Sequence, residues 1–271
     1  MQRITFIGGG NMARSLVGGM VRAGHDASLL HVAEPDAAAR ERLASDFGVD
    51  THADNHAAIN GANIVVFAVK PQVLPAVCAD LGSAIATARP LLISIAAGIR
   101  TDQIERWLGN PAAVVRVMPN TPALIGAGAN GLFANALVSA DQRRQAQAIL
   151  DASGICEWID DEVLMDTVTS ISGSGPAYFF LLVEALEEAA VTHGLPREAA
   201  RHLAAQTCMG AGRMLLESGG APAELRRRVT SPNGTTQAAL ESFAHDDFNA
   251  IVARAVDASR QRGIALAAAN D

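Results

Sequence analysis

The sequence predicts an α/β chain with a doubly wound parallel sheet at its N-terminus and an all-helical second domain. Three observations carry this. Short apolar runs alternate with amphipathic helical stretches up to about residue 160. A glycine-rich turn, Gly8-Gly9-Gly10, stands between the first run and the first helix. Beyond about Asp160 the strand signals stop and only helical periodicity remains. The boundaries drawn are 1–160 for the sheet domain and 161–271 for the helical one.

Arg3–Ile7 reads as the first strand, and Asn11–Ala23 as a helix ended by Gly24. Leu29–Ala33 is a second strand, and Asp36–Phe47 a charged helix closed by Gly48. Ala62–Val69 is almost continuously apolar, as a parallel strand buried on both faces requires. Pro71 is placed to open the next helix. Leu91–Ala96 and Val114–Met118 repeat the strand signal. Ser139 and Gln142 form a capping box before a helix reaching Ser153, and Ile155–Ile159 is the last strand. The segments 162–171, 177–193, 196–217, 222–230, 236–243 and 247–268 read as helices. Phe179, Leu182, Leu186 and Ala190 share one helical face.

Bulk properties narrow the function. The 271 residues allow two domains with substantial cores. A net charge of −7 argues against a nucleic-acid surface, and no run approaches the ~18 apolar residues of a membrane span. Cys78, Cys156 and Cys208 are widely spaced, and the histidines show no paired metal spacing. No metal is expected. No signal peptide is seen, so a cytoplasmic chain is expected.

Gly8-x-Gly10-x-x-Ala13 falls where a dinucleotide fingerprint must: the first glycine makes the turn, the second admits the pyrophosphate, and Ala13 lets helix meet sheet. With the βα alternation, this marks a Rossmann domain. Glu34 ends the second strand, where an acid accepts from the ribose 2′-hydroxyl of NAD and opposes a 2′-phosphate; Arg40, downstream, could soften that preference. NADH is therefore expected to serve at least as well as NADPH. Ala68-Val69-Lys70-Pro71 and Met118-Pro119-Asn120-Thr121-Pro122 end two further strands at the ligand crevice, and Lys70 is the only lysine. Ser172-Gly-Ser-Gly-Pro176 lacks the pattern of a nucleophile elbow and has no lysine following on its helix. Near the C-terminus a helical segment runs into Ser231-Pro232-Asn233-Gly234-Thr235-Thr236 and then a new helix. Thr235 and Thr236 stand where that helix needs its cap, so hydroxyls and backbone N–H groups gather where a small carboxylate can bind. An ordinary capped interhelical turn is the competing interpretation of that stretch alone.

Five motifs in this order, Ile7–Ala13, Ala68–Pro71, Val117–Pro122, Ser172–Tyr178 and Leu225–Leu240, make the chain resemble pyrroline-5-carboxylate reductase over essentially its full length. The resemblance implies reduction of L-1-pyrroline-5-carboxylate to L-proline, the last step of proline synthesis, with NADPH or NADH bound by the N-terminal domain. It implies cofactor contacts from Gly8, Gly9, Gly10, Asn11, Met12, Glu34, Ala68, Val69, Lys70, Pro71 and Asn120. It places the small-molecule substrate between the nicotinamide and the Ser231–Thr236 loop, at a dimer interface, with Ser231, Gly234, Thr235 and Thr236 binding it. Thr236 is expected near the ring nitrogen, and the N–H groups of Gly234 and Thr235 at the carboxylate. Some members carry alanine at the place of Thr235. The implied assembly is a homodimer, and in many members a ring of dimers such as a decamer. Three alternatives stay open: a hydroxyacid dehydrogenase, whose helical lysine is missing here, a general imine reductase, and a non-enzymatic NAD sensor.

Overall fold

The computed structural model describes residues 2–268. Its sheet domain contains β1 (Ile4–Ile7), α1 (Asn11–Arg22), β2 (Leu30–Ala33), α2 (Ala37–Phe47), β3 (Asp50–His52), α3 (Asn55–Ile59) and β4 (Ile64–Phe67). The chain continues through α4 (Leu74–Ala88), β5 (Leu91–Ser94), α5 (Thr101–Leu108), β6 (Val114–Met118), β7 (Gly128–Ala134), α6 (Ala140–Leu150) and β8 (Gly154–Trp158). The strand order is β3-β2-β1-β4-β5-β6-β7-β8. β1 pairs in parallel with both β2 and β4, so the order reverses at β1 and a crevice opens at the carboxyl ends of β1 and β4.

The strands β1, β2, β4 and β5 are buried at every residue, which explains their unbroken apolar runs. Alternate side chains feed two cores. Phe6, Val32, Val66 and Ile93 join Leu16 and Met20 of α1 in one; Ile7, Val65, Phe67 and Leu92 join Leu74 and Leu81 of α4 in the other.

The doubly wound parallel sheet expected from the sequence is present, with one antiparallel pair toward its edge. β7 runs antiparallel to β6, and β8 is parallel to β7. A 3₁₀ turn, Thr121–Ile125, joins β6 to β7 and is too short for the crossover of a dozen or more residues that a parallel return needs. Other differences are local. Pro71 opens a turn rather than the helix, which starts at Leu74 with a proline in its first turn. The helix expected over 162–171 is instead a 3₁₀ turn (Glu162–Leu164), α7 (Met165–Val168) and a π turn (Thr169–Gly173). Gly173 lies against Met118, where a Cβ would come within 2.4 Å of its Cε, and Ser174 N–H reaches back to the Thr169 carbonyl at 2.8 Å.

The chain folds as two compact units: one runs to Ser174 and resumes at Ser259, the other is Gly175–Ala258. This division falls later than residue 160 because 162–174 packs within the first unit. Glu162 accepts from the Thr101 N–H and hydroxyl, both at 2.8 Å, and so caps α5. Arg116, 3 % exposed in the middle of β6, reaches Glu162 and Asp166, each at 3.4 Å. A buried guanidinium forfeits its hydration and is tolerated only with such partners. Arg116→Met should therefore destabilise the protein by about 3 kcal/mol in urea unfolding, because two largely buried carboxylates lose their cation. A change below about 1 kcal/mol would contradict this assignment.

The second unit holds α8 (Gly175–Thr192), α9 (Arg197–Glu217), α10 (Pro222–Arg228), α11 (Thr235–His245) and the first half of α12 (Phe248–Ala268). Gly194, at φ +94°, turns the chain between α8 and α9. The unit has almost no core of its own. Ala200 and Ala204 are its buried apolar residues, while Phe179, Phe180, Leu181, Leu203 and Leu216 are between 60 and 76 % exposed. No helix among the described residues is long and apolar enough to cross a membrane. Burial raises the thiols of Cys78 and Cys156, each to about 12, with Asp151 adding to the effect at Cys156; both are protonated near neutral pH.

Candidate active site

The nucleotide side starts at the end of β1. Gly8 has φ +101°, and a Cβ there would lie 2.8 Å from the Ala68 carbonyl oxygen and 3.1 Å from a Val69 methyl. Only glycine lets the ends of β1 and β4 close to this distance. Gly8 N–H donates to the Ala33 carbonyl at 2.8 Å, and Ala68 N–H to that of Ile7 at 2.8 Å. The Gly8–Gly10 turn is thus fixed between the ends of β2 and β4.

Gly10 is the N-cap of α1, with φ −68° and no side-chain cap. A Cβ at Gly10 would meet nothing within 4 Å. The first-turn N–H groups of α1, beginning with Asn11 and Met12, therefore face an open approach. A helix N-terminus with uncapped donors and no side chain in front of them has the donors and the space that a pyrophosphate needs. The residues present fit a dinucleotide.

Glu34, just past β2, is partly buried. Its Oε2 accepts from Gly9 N–H at 2.9 Å and its Oε1 from Asp36 N–H at 3.0 Å. Arg40 Nη1 donates to the Glu34 and Pro35 carbonyls at 2.7 and 2.8 Å. Lys70 is exposed, and its carbonyl accepts from Val73 N–H at 2.9 Å in the turn that leads into α4. Gly8, Gly9, Gly10, Asn11, Met12, Glu34, Ala68 and Val69 are thus gathered at the switch point, with Lys70 and Pro71 continuing from β4.

Asn120 follows β6, and its side chain is already engaged. It donates to the Ser172 carbonyl at 2.9 Å and accepts from Ala129 N–H at 2.9 Å. This ties β7 and the π turn to the end of β6. The sequence shows only a rigid loop there, because a partner 52 residues away leaves no local signal.

In the second unit the Ser231–Thr236 loop is a tight turn into α11. Asn233 has φ +58°, and Gly234 N–H donates to the Ser231 carbonyl at 3.0 Å. Gly234 is the N-cap, and no side chain caps this helix. Two expectations are corrected here. The threonines are not caps but the first two helical residues. The Gly234 N–H is used inside the turn, so the donors left for a ligand are those of Thr235 and Thr236 and, next along, Gln237. The Gln237 side chain accepts from Asn233 N–H at 2.8 Å, which holds the loop against the helix. Thr230 Oγ1 donates to the Arg226 carbonyl at 2.6 Å. Ser231 and Thr235 are exposed, and Thr236 is half-buried.

A family model for pyrroline-5-carboxylate reductase dimerisation matches residues 162–266, and one described as NADP oxidoreductase, coenzyme F420-dependent, matches residues 3–98. The pyrroline-5-carboxylate reductase of Pseudomonas aeruginosa is 51 % identical over 265 residues, covering 98 % of this chain and 97 % of its own. That of Haemophilus influenzae is 42 % identical over 260 residues, covering 96 % and 95 %. Among solved structures, a pyrroline-5-carboxylate reductase from Coxiella burnetii superposes with a TM-score of 0.95 at 41 % identity, covering 98 % of both chains. The Plasmodium falciparum pyrroline carboxylate reductase, solved with NADP bound, gives 0.86 at 30 % identity, again covering 98 % of both. Identity at this level along the whole length, with matching models over both domains, makes the chain a member of the pyrroline-5-carboxylate reductase family.

Proposed function

We propose that the chain reduces L-1-pyrroline-5-carboxylate to L-proline with NAD(P)H, working as a homodimer. The observation that carries this reading is the uncapped N-terminus of α11, whose first free donors belong to Thr235 and Thr236. A planar carboxylate offers two oxygens to two neighbouring N–H groups and gains from the helix dipole. When bound, the reduced nicotinamide supplies a hydride for the ring carbon of the C=N bond. The chain's part is to hold the two reactants and to favour the protonated imine. An iminium forms in solution near neutral pH, so no strong side-chain acid is required, and positioning carries much of the rate. The Thr236 hydroxyl orients the ring nitrogen.

The reading is tested by following absorbance at 340 nm with the purified protein, NADH or NADPH, and pyrroline-5-carboxylate. Cofactor oxidation matched by proline is expected. Oxidation with larger cyclic imines but not with pyrroline-5-carboxylate would favour a general imine reductase. Cofactor binding without turnover of any imine would favour a sensor.

Thr236→Ala should lower kcat/KM by roughly 10- to 100-fold, the loss of one hydrogen bond that orients the reacting group. The melting temperature should hold, since Gly234 rather than a threonine caps α11. A loss of many thousandfold with an intact fold would mean that Thr236 relays a proton. An unchanged rate would move the substrate away from this loop. A ring of dimers and a cytoplasmic location belong to the same proposal, and size measurement by light scattering settles the first.

A further inference from the structure

The chain returns to its first unit through the C-terminal half of α12, and the last turn of that helix lands on the loop that leaves β5. Gly98, at φ +73°, turns this loop, and a Cβ on it would stand 3.8 Å from Leu266 Cβ and 3.9 Å from the Ala267 nitrogen. Ala267 is buried. Its carbonyl lies in the last turn of α12, where carbonyls take partners from outside the helix, and it accepts from the Gln103 amide Nε2 at 3.0 Å. The other end of the same amide, Oε1, accepts at 2.9 Å from the N–H of Arg100, the last residue before α5. Gln103 is fully buried. One side chain thus clasps two elements 164 residues apart, the end of the β5–α5 loop and the end of α12. The start of the loop is set by Ile95, whose N–H donates to the carbonyl of Phe67, the last residue of β4, at 3.1 Å.

We infer that Gln103 is a positioning residue for the nicotinamide half of the cofactor. This rests on the reading that the switch-point crevice binds a nicotinamide dinucleotide. The end of β2 takes the adenosine side of such a crevice, so the ends of β4 and β5 take the nicotinamide side. The 95–100 loop leaves the carboxyl end of β5 and borders that side. A nicotinamide ring delivers its hydride only within a narrow range of distance and angle, so a bordering backbone that wanders lowers the rate. A buried amide satisfied at both ends adds little net stability over an apolar side chain, but it fixes one arrangement of the groups it joins. Gln103 has no exposed surface to offer a ligand, and it acts through the loop.

Gln103→Met keeps the size of the side chain and loses both bonds. Calorimetric titration of the intact protein with NADH and ADP-ribose, and with NADPH and 2′-phospho-ADP-ribose, separates the two halves of the cofactor without any turnover. The dissociation constants of NADH and NADPH should rise by roughly 3- to 10-fold, while those of the two fragments lacking nicotinamide stay within about twofold. At saturating cofactor, kcat for pyrroline-5-carboxylate should fall about tenfold. Hydrogen exchange should quicken in peptides covering 95–100 and 259–268 and stay the same in those covering β1 and α1. Ala267→Leu, too large for its buried seat, displaces the last turn of α12 without touching the bond between Gln103 and Arg100. It should show the same pattern, and it carries the test if Gln103→Met does not fold. Equal losses for the full cofactors and the fragments, or no loss in either variant, overturns the inference. Wild-type protein that binds none of the four molecules would overturn the cofactor reading first, and this one with it. Failure to reduce pyrroline-5-carboxylate would leave the titrations untouched, so the two readings fail separately.

Discussion

Gly10→Val should weaken dinucleotide binding at least ~100-fold while costing the fold only about 1 kcal/mol, the difference between glycine and a poorer N-cap residue. The backbone at Gly10, φ −68° and ψ −177°, is open to any residue, and a Cβ there meets no atom within 4 Å. The valine methyls would instead occupy the space in front of the first N–H groups of α1, the space a pyrophosphate must enter. Losing one or two hydrogen bonds to a charged group weakens binding by about 3 kcal/mol or more, so the dissociation constant should rise at least ~100-fold. Calorimetric titration with NADH and a thermal melt check the two halves. Unchanged affinity would place the pyrophosphate elsewhere; a large fall in melting temperature would make Gly10 a folding residue. Gly8 offers the contrast. There a side chain meets the Ala68 carbonyl at 2.8 Å and a φ of +101°, so substitution should damage the sheet edge as well as the site.

Phe180→Glu should turn the protein into an inactive monomer. Phe180 is 68 % exposed on α8 in the single chain, next to Phe179 and Leu181, and the unit that carries them buries little apolar surface of its own. A large exposed apolar patch on a unit matched by a dimerisation model is a surface for a second copy. In a two-fold dimer each substitution counts twice, and each copy loses about 2 kcal/mol of apolar burial and gains a charge to desolvate. The dimer dissociation constant should rise roughly a thousandfold or more. A surface substitution with no such role changes stability by about 0.5 kcal/mol at most. Light scattering should report a mass near 28.1 kDa for the variant against at least twice that for the wild type, with reductase activity lost in parallel. An active monomer would refute the dimer as the working unit.

The sheet was legible where burial alone decides it. β1, β2, β4 and β5 lie in the interior, and their apolar runs say so. β3 (Asp-Thr-His) and β7 (Gly-Ala-Asn-Gly-Leu-Phe-Ala) were not legible, because their residues favour turns as readily as strands. β7 exists through pairing with β6 and through Asn130, whose amide donates to the Ser153 hydroxyl at 3.0 Å and the Ile155 carbonyl at 3.1 Å. Arg116 within an apolar run gave no hint of partners on a distant turn. At the site, the place of the glycines and of Glu34 followed from their spacing to β1 and β2. What spacing could not show is which donors are already spent: the Gly234 N–H inside its own turn, the Asn120 amide on Ser172, and the Gly9 N–H on Glu34. Local sequence specifies which groups are present, and the tertiary contacts decide which remain open to a ligand.

The most direct test of the proposed reaction is isotope transfer. NADH and NADPH carrying deuterium at nicotinamide C4, in the position that the enzyme uses, would be incubated with pyrroline-5-carboxylate and the protein, and the product analysed by mass spectrometry and chiral chromatography. The expected product is L-proline one mass unit heavier, with the label at ring carbon C5 and one equivalent of cofactor oxidised per proline. Proline without the label, or oxidation of cofactor with no proline formed, would contradict it.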